Sequence, residues 1–349
     1  MILALLACVV SEDQHEKPPS ELAPPPAEKH TVPTQDGAAV VLNRRQADGP
    51  PVIIVHGISS NHHCWDLTPE RSLAVYLQEQ GFDAWLLDLR GHGDATLDAA
   101  GKRQWAGWSI DHYGRHDVPA AVDYVLEQTG AERVGYVGHS LGGMVGAIYA
   151  GTHPGANDKL SALIAVGSPM DFSDPDPVVW SALTTAGFTW IPVIPSDLGG
   201  KVAAMLDGET HTRIDTWAQD LLFTDIQQEL VGEMYSRVAS PLTKGELKQL
   251  SLVTREGVFV DASGEVDYVQ ALGNVQVPTL VFSGRGDQIA PVDRVYAYYE
   301  ASGAETKRFV VAGRAQGFAA DYGHLDLPLG DHAREEIYPL IAEWLRENP

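Results

Sequence analysis

Cysteine is scarce in this chain: among 349 residues there are only two, Cys8 and Cys64. Two thiols cannot build a fold stapled by several disulfides, and they cannot supply a four-thiolate zinc or iron–sulfur site. The composition therefore excludes both a disulfide-stapled fold and a four-thiolate metal site. Cys64 is expected to remain a free, partly buried thiol.

Basic residues are also few, because Lys and Arg number 24 against 47 Asp and Glu, a formal net charge of −23. Such a charge repels phosphates, so we expect no nucleic-acid partner. After the N-terminus, no uncharged apolar stretch reaches the roughly 18 residues that span a bilayer, which excludes a polytopic membrane protein. With 44% hydrophobic and 20% charged residues, the composition is that of an ordinary globular protein.

The N-terminal segment has a composition of its own. Leu5-Leu6-Ala7-Cys8 resembles a bacterial lipoprotein box, in which the cysteine is lipidated, although only seven residues, none of them basic, precede Cys8. Residues 11–29 are rich in proline and acid, a composition that stays extended. We predict that 1–29 is a signal remnant and tether, anchored through Cys8 to the bacterial cell envelope. The alternative is a frayed terminus with an unmodified cysteine on a cytoplasmic protein.

From about residue 30 the sequence alternates between short β-branched runs and amphipathic segments, which predicts an α/β fold with a mostly parallel, twisted sheet flanked by helices. Thr68 with Pro69, and Asp117, are predicted starts of two of these helices. The alternation covers 30–169 and 276–349, and it is interrupted over 170–275. We interpret the interruption as a mainly helical cap inserted after the sixth strand, Leu160–Val166.

One motif in this frame is typical of nucleophilic catalysis. Gly138-His139-Ser140-Leu141-Gly142 is a G-x-S-x-G sequence that follows a predicted strand and precedes a predicted helix. The glycines permit a sharp turn that lifts the serine hydroxyl clear of the sheet. The helix N-terminus adds positive partial charge beside it. Ser140 is therefore the predicted nucleophile.

A serine hydroxyl needs a base, and the base needs an acid that holds one tautomer. In proteins with this motif the acid and then the histidine follow the serine along the chain. Asp287 lies just past a predicted strand in VFSGRGDQIAP, and His324 lies in the glycine turn of DYGHLD after the last strand. Both positions are at carboxyl ends of strands, where such sites are built. Asp287 and His324 are the predicted acid and base.

Other acids and another base are candidates for these roles. As acids, Glu265 falls in the cap, Asp293 in the helix after the turn, and Asp326 only two residues from His324. As a base, His332 follows Asp331, which is a predicted helix cap and would place His332 on the surface. These positions favour Asp287 and His324.

Acyl transfer also needs N–H donors for the developing oxyanion. His56-Gly57 ends a predicted strand and turns the backbone, so the N–H groups of Ile58 and Leu141 are the predicted donors. The side chain of His56 is interpreted as structural, as are Asp88 and Arg90 in the turn after the fourth strand. The histidines and cysteine at 62–64 have metal-like chemistry, but we interpret this segment as a surface loop and predict no metal site.

The motifs together are similar to those of the α/β-hydrolase superfamily, and within it the chain resembles the acid lipases. The resemblance rests on WAGWS (105–109), HDVPAAVDYVLEQTG (116–130), VGYVGHSLGG (134–143) and YGHLDL (322–327). It covers about 50–155 and 275–335, but not the cap. Acid lipases usually carry Gln where this chain has Leu141, and the related polyester synthases use Cys where it has Ser140. The resemblance implies hydrolysis of carboxylic esters without a cofactor.

The leading hypothesis is a serine hydrolase, an esterase or lipase, acting through an acyl-enzyme on a small apolar ester. A serine-dependent acyltransferase or thioesterase on the same frame is the second. A non-catalytic scaffold is the third, and the complete set of triad residues disfavours it. Apolar cap residues are the candidate substrate contacts, or alternatively the core of the cap: Trp180, Trp190, Trp217 and Phe223.

Overall fold

A computed structural model of the chain describes residues 23–25, 27–104, 107–173, 193–194, 223–226, 234 and 236–349. An eight-stranded sheet forms the centre of the fold, with the strand order β1-β2-β4-β3-β5-β6-β9-β10. The strands of this sheet are β1 (Glu28–Pro33), β2 (Ala39–Arg45), β3 (Pro51–Val55), β4 (Asp83–Asp88), β5 (Val134–His139), β6 (Leu160–Val166), β9 (Thr279–Gly284) and β10 (Lys307–Ala312). Two short strands, β7 (Val193–Ile194) and β8 (Leu242–Thr243), pair with each other outside it.

The sheet is parallel from β4 to β10, and β1 and β2 join it as an antiparallel hairpin. The sequence predicts this hairpin, because Asp36-Gly37 stands between the segments 30–33 and 38–43. The hairpin and the predicted mostly parallel sheet are therefore confirmed. Because the strands are parallel, β3, β5, β6, β9 and β10 all end at one edge, and the loops that leave this edge carry the candidate site residues.

Helices lie against both faces of the sheet. Alternate side chains of β3 enter two different apolar clusters: Ile53 and Val55 lie in one, and Val52 and Ile54 in the other. All four are at most 1% exposed, and each such burial contributes about 1.5–3 kcal/mol. The helices of the described residues are α1 (Leu73–Glu79), α2 (Ile110–His112), α3 (Val118–Thr129), α4 (Leu141–Thr152), α5 (Ala156–Lys159), α6 (Lys244–Glu256), α7 (Tyr268–Ala271), α8 (Val292–Ala301), α9 (Asp326–Leu329), α10 (Ala333–Glu336) and α11 (Tyr338–Glu347).

The chain leaves the sheet after β6 and returns in β9, which is the neighbour of β6 in the sheet. We call residues 167–278, between these two strands, the insertion. Its described part includes β8 and α6, which begins with a complete capping box formed by Thr243 and Glu246. None of the helices in the described part of the chain is long and apolar enough to cross a membrane.

Of the two predicted helix starts, one was wrong and the other was right in position but not in its side-chain cap. α1 begins after Ser72, whose hydroxyl accepts the N–H of Val75, and not at Thr68 and Pro69. α3 begins directly after Asp117, as predicted, but the Asp117 side chain does not cap it, because a π-helical turn, Tyr113–Asp117, joins α2 to α3 in one longer helical run. The Asp117 carboxylate instead accepts the guanidinium of Arg90 at 2.8 Å. Tertiary contacts, which the local pattern does not contain, decided where α1 begins and how Asp117 is bonded.

The segment at 62–64 is not the surface loop that the sequence suggested. It forms a 3₁₀ turn, His62–Cys64, in which His62 and Cys64 are buried, and Cys64 is a free thiol. Burial raises the pKa of the Cys64 thiol to about 12, which makes it unreactive.

Candidate active site

The turn that carries Ser140 is strained and tightly packed. Ser140 joins β5 to α4 with φ 51 and ψ −118, a sparsely populated backbone conformation that costs an L-residue about 1–3 kcal/mol. A Cβ on Gly138 would lie 2.4 Å from the carbonyl carbon of Gly142, so only glycine fits there. The N–H of Ser140 donates to the carbonyl of Val166 at 2.7 Å, which helps to hold the strained turn. These contacts present the serine at the carboxyl edge of the sheet.

Asp287 and His324 form a hydrogen-bonded pair. The Nδ1 of His324 lies 2.7 Å from Oδ2 of Asp287, and both side chains are almost fully buried. The other carboxylate oxygen of Asp287 accepts the backbone N–H groups of Ile289 and Ala290 at 2.9 and 2.8 Å. The carboxylate is therefore fixed in one orientation, and in a neutral imidazole it favours the tautomer with the proton on Nδ1, in which Nε2 is the acceptor.

His139, which the sequence reasoning did not single out, brings the His324 loop against the serine turn. Its Nε2–H donates to the carbonyl of His324 at 3.0 Å, and the two imidazole rings lie 4.7 Å apart. Burial, and then the neighbouring His324, hold the pKa of His139 well below its usual range, so the ring is neutral. Since His139 directly precedes Ser140, this bond places the histidine pair beside the serine turn. The sequence signal that could have identified His139 is its position inside the G-x-S-x-G motif, directly before the serine.

The loop after β3 lies against the same turn. A Cβ on Gly57 would approach the Cβ of Ser140 to 3.2 Å, so the chain at Ile58 passes beside the serine. His56 stabilises this loop: its ring bonds the Gly57 carbonyl at 2.7 Å and accepts the N–H of Leu89 at 3.2 Å. Burial, followed by nearby His92, lowers the pKa of His56 to about 3, so it remains a neutral structural group.

A second set of buried charges lies at the end of β4. The ring of His62 bonds Asp88 at 2.7 Å, and the backbone N–H groups of His62 and Asp94 donate to the same carboxylate. Burial opposes the charge of His62, but Asp88 outweighs it and raises the pKa of His62. Among the described residues, His62, Asp88 and Asp94 are close enough to suggest a metal site. Because N–H donors already surround the Asp88 carboxylate, the arrangement fits an internal ion pair better than a metal ligand.

Residues 50–327 match the family described as the alpha/beta hydrolase fold. The chain belongs to this family. It is similar to Lipase 3 of Drosophila melanogaster (34% identity, 41% of this chain and 39% of the relative) and to human lysosomal acid lipase/cholesteryl ester hydrolase (31%, 41% and 39%). These alignments span about two-fifths of the relatives' length, whereas mouse Lipase member K aligns over 93% of this chain and 88% of its own length at 23% identity.

Solved structures support the same hydrolase fold. An esterase from Thermogutta terrifontis aligns with a TM-score of 0.58 at 20% identity, over 92% of this chain and 99% of its own. A monoacylglycerol lipase from Paleococcus ferrophilus aligns with a TM-score of 0.59 at 18% identity, over 88% and 99%. The expected membership of the α/β-hydrolases, and the resemblance to their acid lipases and esterases, are therefore confirmed.

The other acids and the other base of this α/β-hydrolase lie in different surroundings from the Asp287–His324 pair. Glu265 is exposed, and Asp293 lies in α8. His332 is exposed and pairs with Asp225 at 2.8 Å. Asp326 is buried, but its Oδ2 faces backbone donors, including the N–H groups of Gly323 and Thr224 at 2.7 and 2.6 Å. Asp326 therefore ties the insertion to the His324 loop.

The predicted substrate contacts in the cap are only partly within the described residues. Phe223 is 7% exposed and belongs to the same apolar cluster as Leu327 and Leu329, which favours a core role for it. Trp180, Trp190 and Trp217 lie outside the described residues, as does Cys8.

Proposed function

We propose that this protein is a serine carboxylic-ester hydrolase that acts through an acyl-enzyme, with Ser140 as nucleophile, His324 as base and Asp287 as the acid that orients it. The observation that carries the proposal is the 2.7 Å bond between Asp287 and His324, on a loop that His139 ties to the strained serine turn. A nucleophile on such a turn beside an oriented imidazole is the arrangement that acyl transfer requires.

In the first half of the proposed reaction, Oγ of Ser140 attacks the ester carbonyl carbon while Nε2 of His324 takes its proton. The carbonyl oxygen becomes an oxyanion, and the N–H groups of Ile58 and Leu141 donate to it. Each such donor contributes about 2.7–4 kcal/mol to the transition state. The imidazolium, stabilised by Asp287, then returns the proton to the alkoxide, and the alcohol leaves.

In the second half, water replaces the alcohol. His324 takes a proton from the water as its oxygen attacks the acyl carbon, and the same N–H groups stabilise the second oxyanion. Collapse breaks the bond to Oγ, and His324 returns the proton to Ser140. The products are a carboxylic acid and the free enzyme, with no cofactor in either half.

The substrate that we propose is a small or medium apolar ester. Relatives named as lipases, an esterase and a cholesteryl ester hydrolase support an ester bond. We expect hydrolysis of chromogenic esters to be fastest for short and medium acyl chains, without a sharp rise in rate above the solubility limit. Initial rates across an acyl-length series, each compared with Ser140→Ala, measure this.

Three results would separate the alternatives. A sharp interfacial rise with long-chain triglyceride would indicate a lipase instead. Faster turnover of thioesters than of matched oxygen esters would indicate a thioesterase, and acylated alcohol exceeding free acid in a water–alcohol mixture would indicate a transferase. No turnover of any ester would contradict the proposed function.

We also propose that Cys8 carries a lipid and that residues 11–29 act as a spacer on a bacterial envelope membrane. With a net charge of −23, the protein is repelled by anionic lipid, which fits anchoring by a tether. A cysteine with several acyl chains anchors stably, whereas one chain does so poorly. The full-length protein should partition into detergent in a bacterial host and lose this behaviour on Cys8→Ser. Equal partitioning of both proteins into water would contradict the tether.

A further inference from the structure

The loop after β3 contains the other strained non-glycine residue of the described chain. Ser59 has φ 52, and in the described residues only Ser140 shares a positive φ without being glycine. An L-residue avoids this region because its Cβ crowds the adjacent carbonyl oxygen, and it stays there only when surrounding contacts hold it. Ser59 directly follows Ile58, the proposed oxyanion donor, so the φ of Ser59 influences the direction of the peptide beside that N–H.

The contacts that hold Ser59 come from the insertion. The hydroxyl of Ser59 donates to the carbonyl of Ser240 at 2.8 Å, and the N–H of Ser240 donates to the carbonyl of Ser59 at 2.9 Å. The two residues are 181 positions apart in the chain. A reciprocal pair of bonds fixes both the position and the orientation of the Ser59 peptide.

Ser240 is itself firmly held. It is 2% exposed, and its hydroxyl accepts the N–H of Gly93 and the side-chain N–H of Asn61, both at 3.2 Å. Asn61 also donates to the carbonyl of Arg237 at 2.8 Å. The segment around Ser240 is thus bonded to the loop after β3 through Asn61 and to the loop after β4 through Gly93.

A buried ion pair anchors the segment a few residues later. Glu246, in the first turn of α6, lies 3.6 Å from the ring of His92, and both are at most 1% exposed. Burial disfavours both charges, but each partner outweighs it: Glu246 raises the pKa of His92, and His92 lowers the pKa of Glu246. Losing one partner would leave a buried charge, so this contact keeps α6 and Ser240 in place.

We propose that Ser240 is a positioning residue for the reaction: it holds Ser59 at positive φ and so aims the N–H of Ile58 at the oxyanion. The insertion then does more than cover the site, because it sets the geometry of the oxyanion donor. This inference rests on the proposed function and deepens it.

The test compares Ser59→Ala with Ser59→Gly. Both lose the hydroxyl that bonds Ser240, but alanine still avoids positive φ while glycine adopts it freely. We expect Ser59→Ala to lower kcat about 10-fold with KM nearly unchanged. Without the bond to Ser240, the free-energy cost of positive φ reduces the population of the competent loop conformation by about that factor. Ser59→Gly should lose only about 2- to 3-fold, because its loop keeps the competent conformation more often. Binding of an alkylboronic acid, a transition-state analogue, should weaken in the same order.

Ser240→Ala keeps the two bonds that its backbone makes to Ser59 but removes the hydroxyl that accepts the N–H groups of Gly93 and Asn61, so it loosens the segment that holds Ser59. This variant does not depend on Ser59→Ala folding. Alone, it should lower kcat about 3-fold. Combined with Ser59→Gly it should have no further effect, because glycine adopts positive φ without help from the Ser240 segment. Ser263→Ala is the control, since this serine of the insertion is exposed and its hydroxyl bonds its close sequence neighbours Asp261 and Glu265. Thermal melting of each variant checks folding.

Two failures are distinguishable. If Ser59→Ala is as active as Ser59→Gly, or if Ser240→Ala has equal effects in both backgrounds, the positioning role is overturned while the hydrolase remains. If the wild-type protein hydrolyses no ester, the proposed function is overturned, and this inference with it.

Discussion

Ser140→Ala should abolish most of the ester hydrolysis of this protein, with kcat falling about 10³- to 10⁶-fold. The substitution removes the only atom proposed to bond the acyl group, and the remaining rate would come from the oxyanion donors and binding alone. The strained turn should survive, because its glycines and the bond from the Ser140 N–H to Val166 do not involve the hydroxyl. Steady-state rates on a chromogenic ester measure the loss, and circular dichroism measures the fold.

Ser302→Ala is the matched control for this variant. Ser302 is also buried, but its hydroxyl contacts Thr279 at the start of β9, the opposite edge of the sheet from the site. Its rate should stay near that of the wild type. An organophosphonate should label Ser140 and no other serine, as mass spectrometry of peptides would detect. A second labelled serine, or an alanine variant with nearly normal rate, would refute the assignment.

Asp287→Asn should lower kcat about 10²- to 10⁴-fold with little change in KM. The N–H groups of Ile289 and Ala290 both point at Oδ1, so the asparagine carbonyl must occupy that position. Its NH₂ group then faces Nδ1 of His324 and favours the tautomer that carries the proton on Nε2. Such an imidazole cannot accept the proton of Ser140, although the shape of the site is nearly unchanged.

The control for this loss is Asp293→Asn, which removes a carboxylate from α8 close in sequence and was itself a candidate acid. Its kcat should remain within about 2-fold of the wild type, as is usual for a substitution outside the reacting groups. A large loss in Asp293→Asn with little effect in Asp287→Asn would show that the acid had been misassigned.

The insertion contacts the site from two directions. Asp326 accepts the N–H of Thr224 beside the His324 loop, and Ser240 pairs with Ser59 beside the proposed oxyanion donor. The proposed base and the proposed oxyanion donor therefore both depend on insertion residues for their positions. Substitutions in the insertion are expected to change turnover as well as substrate preference.

Two errors of the sequence interpretation have one physical cause. Histidines at 62 and 63 suggested an exposed loop because polar neighbours are usually solvated, yet Asp88, 26 residues away, makes burial of His62 favourable. Asp117 suggested a helix cap because a carboxylate suits that position, yet Arg90 recruits it inside a continuous helical run. In both cases a charged partner distant in sequence outweighed the local preference.

The features that depend on neighbouring residues follow from the amino-acid sequence: the hairpin around Asp36 and Gly37, the alternating strands, and the strand–serine–helix turn at Gly138 to Gly142. These follow from local patterns, since glycine permits the turn and β-branched runs favour strands. Sequence order and strand ends also predicted that Asp287 and His324 would meet. The folded chain alone reveals that His139 ties the His324 loop to the serine turn and that Ser240 bonds Ser59. Such contacts join residues more than 180 positions apart, and no local pattern encodes which distant polar groups will share a buried hydrogen bond.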